Sequence, residues 1–245
     1  MARLLSILWL CAVPLWAAAP SQELAALLAK HLAARGGAEK LAAIRSLRFT
    51  GELSFRGALK FGFVQTLSRP GRIREEAELQ GLTQVQAWDG ASAWQISPFQ
   101  GRKDPERLSG DDAKGLEQGA DFEGPLVNWE AKGHRLDYLG REDVDGTLAH
   151  KVQVVLKDGT EKLVFLDPDH FLVIRVLTRM AIRGSVAEFE SDYGEYAPVA
   201  GVYFPMAIES GAPGAPRTLF TRFAKAEANL PLEADRFTFP APVQK

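Results

Sequence analysis

From Leu47 onward the chain alternates. Leu47, Phe49, Leu53 and Phe55 are apolar, while Arg48, Thr50, Glu52 and Ser54 between them are polar. Beyond a turn at Arg56-Gly57, Leu59, Phe61, Phe63 and Leu67 repeat the pattern. Ile73 to Leu79 follows Pro70-Gly71, and Leu82 to Trp88 pairs with Ala93 to Ile96 around Asp89-Gly90. A two-residue period bounded by such turns predicts antiparallel strands with one apolar and one wet face. The pattern lapses at Gly101 and resumes after Gly133: His134 to Leu139, Ala149 to Leu156, Lys162 to Leu166, and Leu172, Ile174 and Val176. Val186 to Tyr193, Val202 to Ile208 and Thr218 to Ala228 complete it. About eleven strands are predicted, with turns at the spacing of a sandwich or barrel.

Two stretches have another period. Gln22 to Ile44 places Leu24, Leu27, Leu28, His31 and Leu32 on one helical face, with Ser21 as cap and Gly36-Gly37 dividing it in two. In the central stretch from Gly101 to Gly133, Phe122, Leu126 and Trp129 fall at roughly helical spacing, with Pro125 where a helix starts. This segment is either a lid over the sheet or a helix that plugs its open face. The fold class expected is mainly β with α: a single highly curved antiparallel sheet, an incomplete (half) β-barrel. Helices at Ala25 to Leu32 and Asp121 to Trp129 cover its concave face.

The first nineteen residues stand apart. Arg3, an apolar run from Leu4 to Leu15 and the small residues Ala17 to Ala19 read as a secretory signal peptide cut before Pro20. One domain, 20–245, then remains. The single cysteine, Cys11, lies inside the signal without the small neighbours of a lipid-attachment box. Disulfides and thiolate chemistry are thereby excluded from the mature chain. Losing Arg3 takes the formal net charge from −2 to −3, which leaves no basic footprint for nucleic acid or an acidic membrane surface. No later run is long enough for a membrane-spanning helix.

A search for chemistry finds no catalytic residues, cofactor site or metal site. His31, His134, His150 and His170 are scattered without ligand spacing. Asp143-Val144-Asp145-Gly146 resembles the start of a calcium loop but lacks the further ligands, and reads as a turn. Asp111-Asp112 and Glu75-Glu76 are adjacent carboxylates, which on a strand point to opposite faces. The chain is instead rich in large apolar side chains on the strands and the central segment. Phe49, Phe61, Phe63, Trp94, Leu126, Trp129, Val154, Ile174 and Phe204 are the candidates to line an interior, and Phe55, Phe189 and Phe223 add to the apolar total. They form either an ordinary core or the wall of a cavity for apolar ligands. Burial yields roughly 0.8 kcal/mol per methylene, so an acyl-chain binder needs a greasy interior more than a polar cluster.

Several short segments in order carry a family resemblance. They are Arg35-Gly36-Gly37, Glu39-Lys40-Leu41 and Ile44-Arg45-Ser46, then Asp89-Gly90 with Ala93-Trp94 and Pro98-Phe99. Asp167-Pro168 before Phe171-Leu172, Tyr196 to Pro205 and Asn229 to Pro240 follow. Together they resemble the outer-membrane lipoprotein-sorting (LolA/LolB-like) superfamily, through most of the mature chain. The resemblance implies a half-barrel with a helical lid and a hydrophobic cavity for acyl chains. It implies a periplasmic, monomeric carrier of lipids or lipoproteins between an inner-membrane donor and an outer-membrane acceptor. It also implies an arginine of the early sheet that bonds to the lid backbone; Arg45 and Arg48 lie in that region, and the role is assigned to neither. A lipid-sensing or protein-interaction module on the same fold is the alternative.

Overall fold

A computed structural model describes residues 21–233 and 235–240. The signal peptide with Cys11 lies outside the described residues. Two helices come first, α1 (Gln22–Ala34) and α2 (Ala38–Ala43). The first meander is β1 (Ser46–Phe55), β2 (Leu59–Ser68), β3 (Arg72–Leu79), β4 (Leu82–Trp88), β5 (Ala93–Ser97) and β6 (Arg102–Arg107). After α3 (Gly110–Gly119) the second meander is β7 (Arg135–Val144), β8 (Thr147–Val155), β9 (Glu161–Leu166), β10 (Val173–Ile182) and β11 (Ser185–Gly194). A small hairpin, β12 (Ala197–Val199) with β13 (Val202–Phe204), precedes β14 (Ala207–Gly211) and β15 (Leu219–Ala228).

Thirteen strands form one antiparallel sheet in the order β6-β5-β4-β3-β2-β1-β15-β14-β11-β10-β9-β8-β7. The pair β14–β15 is the seam between the meanders. β6 and β7 remain as the two edges, so the curved sheet does not close into a barrel. The chain between these edges, residues 108–134, must cross from one rim to the other. It does so over the concave side, where Ala113 and Leu116 of α3 pack with Leu47, Phe49 and Ile73. Ser21 caps α1 as expected, its Oγ accepting from the Leu24 N–H at 3.2 Å.

The central segment differs from the sequence reading in two ways. β6 is a strand that apolar alternation could not reveal, since RKDPER is almost wholly polar. The lid helix is α3, upstream of the stretch expected to be helical. Residues 121–133 run as successive turns, because Gly124 (φ +82°) and Asn128 (φ +53°) leave helical space on either side of Pro125.

Two apolar clusters fill part of the concavity. One gathers α2, α3 and the β12–β13 hairpin over β1, β2 and β15, around Leu41, Ile44, Leu47 and Val202. The other seals α1 onto β7, β8 and β9 through Leu24, Leu27, Val152 and Val164. Between and beyond them the concave face stays open.

Candidate functional site: a lidded apolar cavity

Register decides which side chains face inward. Phe49, Leu53, Phe63 and Leu67 share a face because Leu47 opposes Leu67 and Gly51 opposes Phe63. Across the seam that face continues through Phe223, Ile208, Tyr193 and Phe189 to Thr178, Val176 and Val164. Under the lid it encloses a cavity of about 460 Å³, walled by Phe49, Phe204, Phe223, Val176 and Met180 and roofed by Phe122 and Leu126. This lies within the usual range of small-molecule sites. A second hollow of about 320 Å³, walled by Leu53, Phe63 and Leu219, continues it by way of shared Gln65, Ile208 and Phe223. At the concave end of β1 and β2, Phe55, Leu59 and Phe99 are each more than a third exposed, as is Phe189 (47%), which borders the main cavity. Single exposed apolar residues need no explanation, but a row on one concave rim marks a contact surface.

The aromatic floor is interlocked rather than loose. Phe49 meets Phe204 edge-on at 5.8 Å and Phe223 at 4.9 Å, and Phe223 stacks on Phe63 at 6.1 Å. Room for a ligand therefore lies above these rings, toward the lid.

The lid is held by side chains, not by a ladder of backbone bonds. Arg35, at the end of α1, donates to the carbonyl oxygens of Glu123 and, at 3.2 Å, Phe122. Its guanidinium also lies 5.2 Å from the Phe204 ring centre. The turn after α1 fixes its position. The Tyr203 N–H donates to the Arg35 carbonyl at 2.9 Å. A Cβ on Gly36 (φ +116°) would sit 2.2 Å from the Gly201 carbonyl oxygen, so only glycine fits there. Arg69 reaches the Glu123 carboxylate at 2.7 Å and the Leu41 and Ile44 carbonyls at 3.1 and 2.9 Å. Lys132 closes the turn on Asp121 at 2.6 Å. Burial alone would raise the Glu123 carboxyl, but the Arg69 bond, the charges of Lys132 and Arg69, and Asn128 outweigh it and hold it below the ordinary carboxylate range.

The structure sorts the candidate lining residues. Phe49, Leu126 and Phe204 line the main cavity and Phe63 its extension. Phe61 shares their face but lies farther out, edge-on to Phe99 at 5.6 Å. Trp129 packs beside α1 in a side groove with Leu28 and Leu126. Val154 faces inward but is fully sealed in the cluster beneath α1.

Two residues are on the opposite face. Trp94 belongs to a convex-side cluster with Val85, Ala87 and Phe239, and its indole N–H donates to the Phe237 carbonyl at 2.8 Å. Its neighbours Ala93 and Gln95 take the concave positions, opposite Trp88 and Gln86. Ile174 packs on the convex side with Val144, Ala149 and Phe165. A β-bulge there lets Val173 and Val176 both face inward, which puts Ile174 out of the simple alternation. Sequence reasoning did not select Arg35, Val176 or Met180. Arg35 had one signal, its place before the paired glycines.

No family model matches the sequence, and no curated protein matches it. Solved structures do match. A protein described as an outer membrane lipoprotein-sorting protein domain from Vibrio parahaemolyticus is 13% identical, with TM-score 0.57 over 82% of this chain and 93% of that one. A LolA superfamily protein from Nitrosomonas europaea is 14% identical, with TM-score 0.57 over 90% and 98%. The chain shares the fold of these two proteins. A DUF1329 family protein from Desulfovibrio piger is also similar, at 12% identity and TM-score 0.53 over 87% and 96%. At these identities the likeness to LolA-superfamily proteins is one of architecture, and function rests on the site.

No helix among the described residues is long and apolar enough to cross a membrane.

Proposed function

We propose that this chain binds the acyl chains of lipids or lipoproteins in the lidded cavity and carries them through the periplasm toward the outer membrane. The observation that carries the reading is the combination of an apolar hollow open along one rim with a roof fastened by a few side-chain bonds. Magnitudes favour it. Ten buried methylenes yield about 8 kcal/mol before entropic costs. Each charge-assisted bond from Arg35 or Arg69 to the lid is worth only about 1.5–3 kcal/mol net. Ligand entry can therefore trade against lid closure, as exchange between a donor and an acceptor requires. The fold shared with the lipoprotein-sorting domain and the LolA superfamily protein supports the same reading, and an enzymatic role draws no support from the cavity lining.

The test is native mass spectrometry of the mature protein purified from a bacterial periplasm. A one-to-one adduct of lipid mass, released by organic solvent, is the expected result. A bare protein mass, with no acyl ligand taken up on incubation, would overturn the proposal.

A further inference from the structure

Among the described residues, two cations that line the main cavity, Arg35 and Lys162, form no salt bridge, and they differ in what else holds them. Arg35 is spent on lid carbonyls, Glu123 on Arg69 and Asp121 on Lys132. His31 has its Nδ1 at 2.8 Å from the Phe171 carbonyl and stays neutral above about pH 4, mainly through burial. Lys162 differs. It lies on the concave face of β9, opposite Val154 on one side and Thr178 on the other. No carboxylate forms a salt bridge with it among the described residues. The charges that reach it are Asp158 and Asp121. Asp158 accepts from Gln118 at 3.1 Å and from the Thr160 N–H at 2.9 Å, so both acids are engaged elsewhere. Burial pushes the Lys162 ammonium down from its ordinary value, with those aspartates opposing.

Its position is as informative as its isolation. Lys162 borders the main cavity and also a separate compartment of about 390 Å³ on the other side of the lid turn. Charged side chains of both signs border that compartment, Arg69, Lys132 and Lys157 with His134 on one hand and Glu117, Asp121, Glu123 and Asp158 on the other. A cation between an apolar hollow and a compartment bordered by charges marks where the head of an amphiphile sits when its tail fills the hollow. A partly desolvated ammonium without a counter-ion is costly, and a bound anion would remove that cost through charge-assisted bonding.

We propose, on the basis of the acyl-binding reading, that the ligand is an amphiphile with an anionic head, a carboxylate or a phosphate, held by Lys162. An acyl group in ester or amide linkage is uncharged at that point and gains nothing from the lysine. The site therefore selects acidic lipids over neutral ones.

The experiment compares three ligands of equal chain length, a fatty acid, an alkyl phosphate and the fatty acid's methyl ester, in competition with a fluorescent acyl probe. The wild-type chain should bind at least one acid about tenfold tighter than the ester. The tighter of the two acids distinguishes a free fatty acid from a phospholipid-type head. Lys162→Met should abolish the preference and leave ester affinity unchanged, with an unchanged or raised melting temperature to show that it folds. Lys162→Arg should preserve the preference. Equal binding of acid and ester by the wild type, or a preference that survives Lys162→Met, overturns the assignment of the head site while leaving the carrier reading intact. Failure of all three ligands to bind overturns both.

Discussion

Arg69, at the end of β2, holds the carboxylate of Glu123 in the lid turn, Nη2 to Oε1 at 2.7 Å, while its own chain also grips two carbonyls of the α2 region. Sheet, helix and lid thus meet at one guanidinium. The neighbouring Arg35 binds the same lid residue through its backbone. Both arginines fasten the same lid turn, while α3 is tied separately, through Asp112 to Arg183 at 2.8 Å and Gln118 to Thr160 at 2.9 Å.

The fastening of that turn is pH-dependent, with a defined sign. In the closed lid the Glu123 carboxyl titrates below its ordinary value, despite burial, because Arg69 and Lys132 favour the charged form. Closure is therefore fully supported above the free carboxylate value, roughly 4.3, and is weakened as pH falls through the depressed one. Amide exchange in residues 121–133, corrected for intrinsic rates, should accelerate between pH 6 and 3.5 relative to the strands. Glu123→Gln should exchange faster at pH 6 and respond less to acid. An unchanged acid response in that variant would show that Glu123 is not the fastening group.

Gly36→Ala should detach the latch without touching it. The added Cβ would lie 2.2 Å from backbone of the β12–β13 turn, so α1 and that turn must separate. Overpacking of this kind costs about 1–3 kcal/mol, and Arg35 moves with the backbone. Thermal unfolding should show the loss, and an acyl probe should enter and leave faster than in the wild type. A loss of stability with unchanged probe kinetics would separate Gly36 from lid control.

Trp94 and Phe189 make a paired test of which face binds. Trp94 is fully buried on the convex side, so Trp94→Ala should cost about 3–5 kcal/mol and leave acyl-probe affinity unchanged. Phe189 is exposed on the rim of the cavity, so Phe189→Glu should change stability by no more than about 0.5 kcal/mol. It should weaken probe binding, since a carboxylate would face the chain. The reverse pattern would place the ligand on the convex face.

His31 sets a second pH limb. Burial first, with the Arg35 charge adding to it and the Phe171 carbonyl bond opposing, pushes the ring from 6.5 down to about 4. The unfolded chain then binds a proton that the folded chain refuses, so this contribution is fully present above pH 6.5 and lost as pH falls toward 4. Between pH 7 and 5 the loss should be on the order of 2 kcal/mol, read by chemical denaturation. His31→Gln should flatten this limb, although His134 and His150 shift in the same direction at more exposed sites.

The sheet was legible because alternation is a local signal. A period of two names the residues that share a face, and both meanders follow from it. It does not say which face is concave. Trp94 illustrates the gap: it is large, apolar and in phase, yet the residues Phe237 and Phe239, more than a hundred positions away, supply the cover that buries it outside. Ile174 shows another, since one bulge reverses inside and outside for the residues that precede it. The lid was legible as a break, and its helix was misplaced because α3 buries only Ala113 and Leu116 whereas the richer Phe122, Leu126 and Trp129 belong to turns. Arg35 was invisible as a latch because its partners are carbonyl oxygens, which every residue carries.

The most direct test of the central claim maps where an acyl chain lies. A fatty acid with a photoreactive group near its tail would be cross-linked to the mature chain and the adducts located by peptide mass spectrometry. The account predicts adducts confined to concave residues such as Phe49, Val176, Met180 and Phe204, and their loss in Phe189→Glu. Adducts around Trp94 or Ile174 on the convex face, or none that excess unlabelled fatty acid displaces, would contradict it.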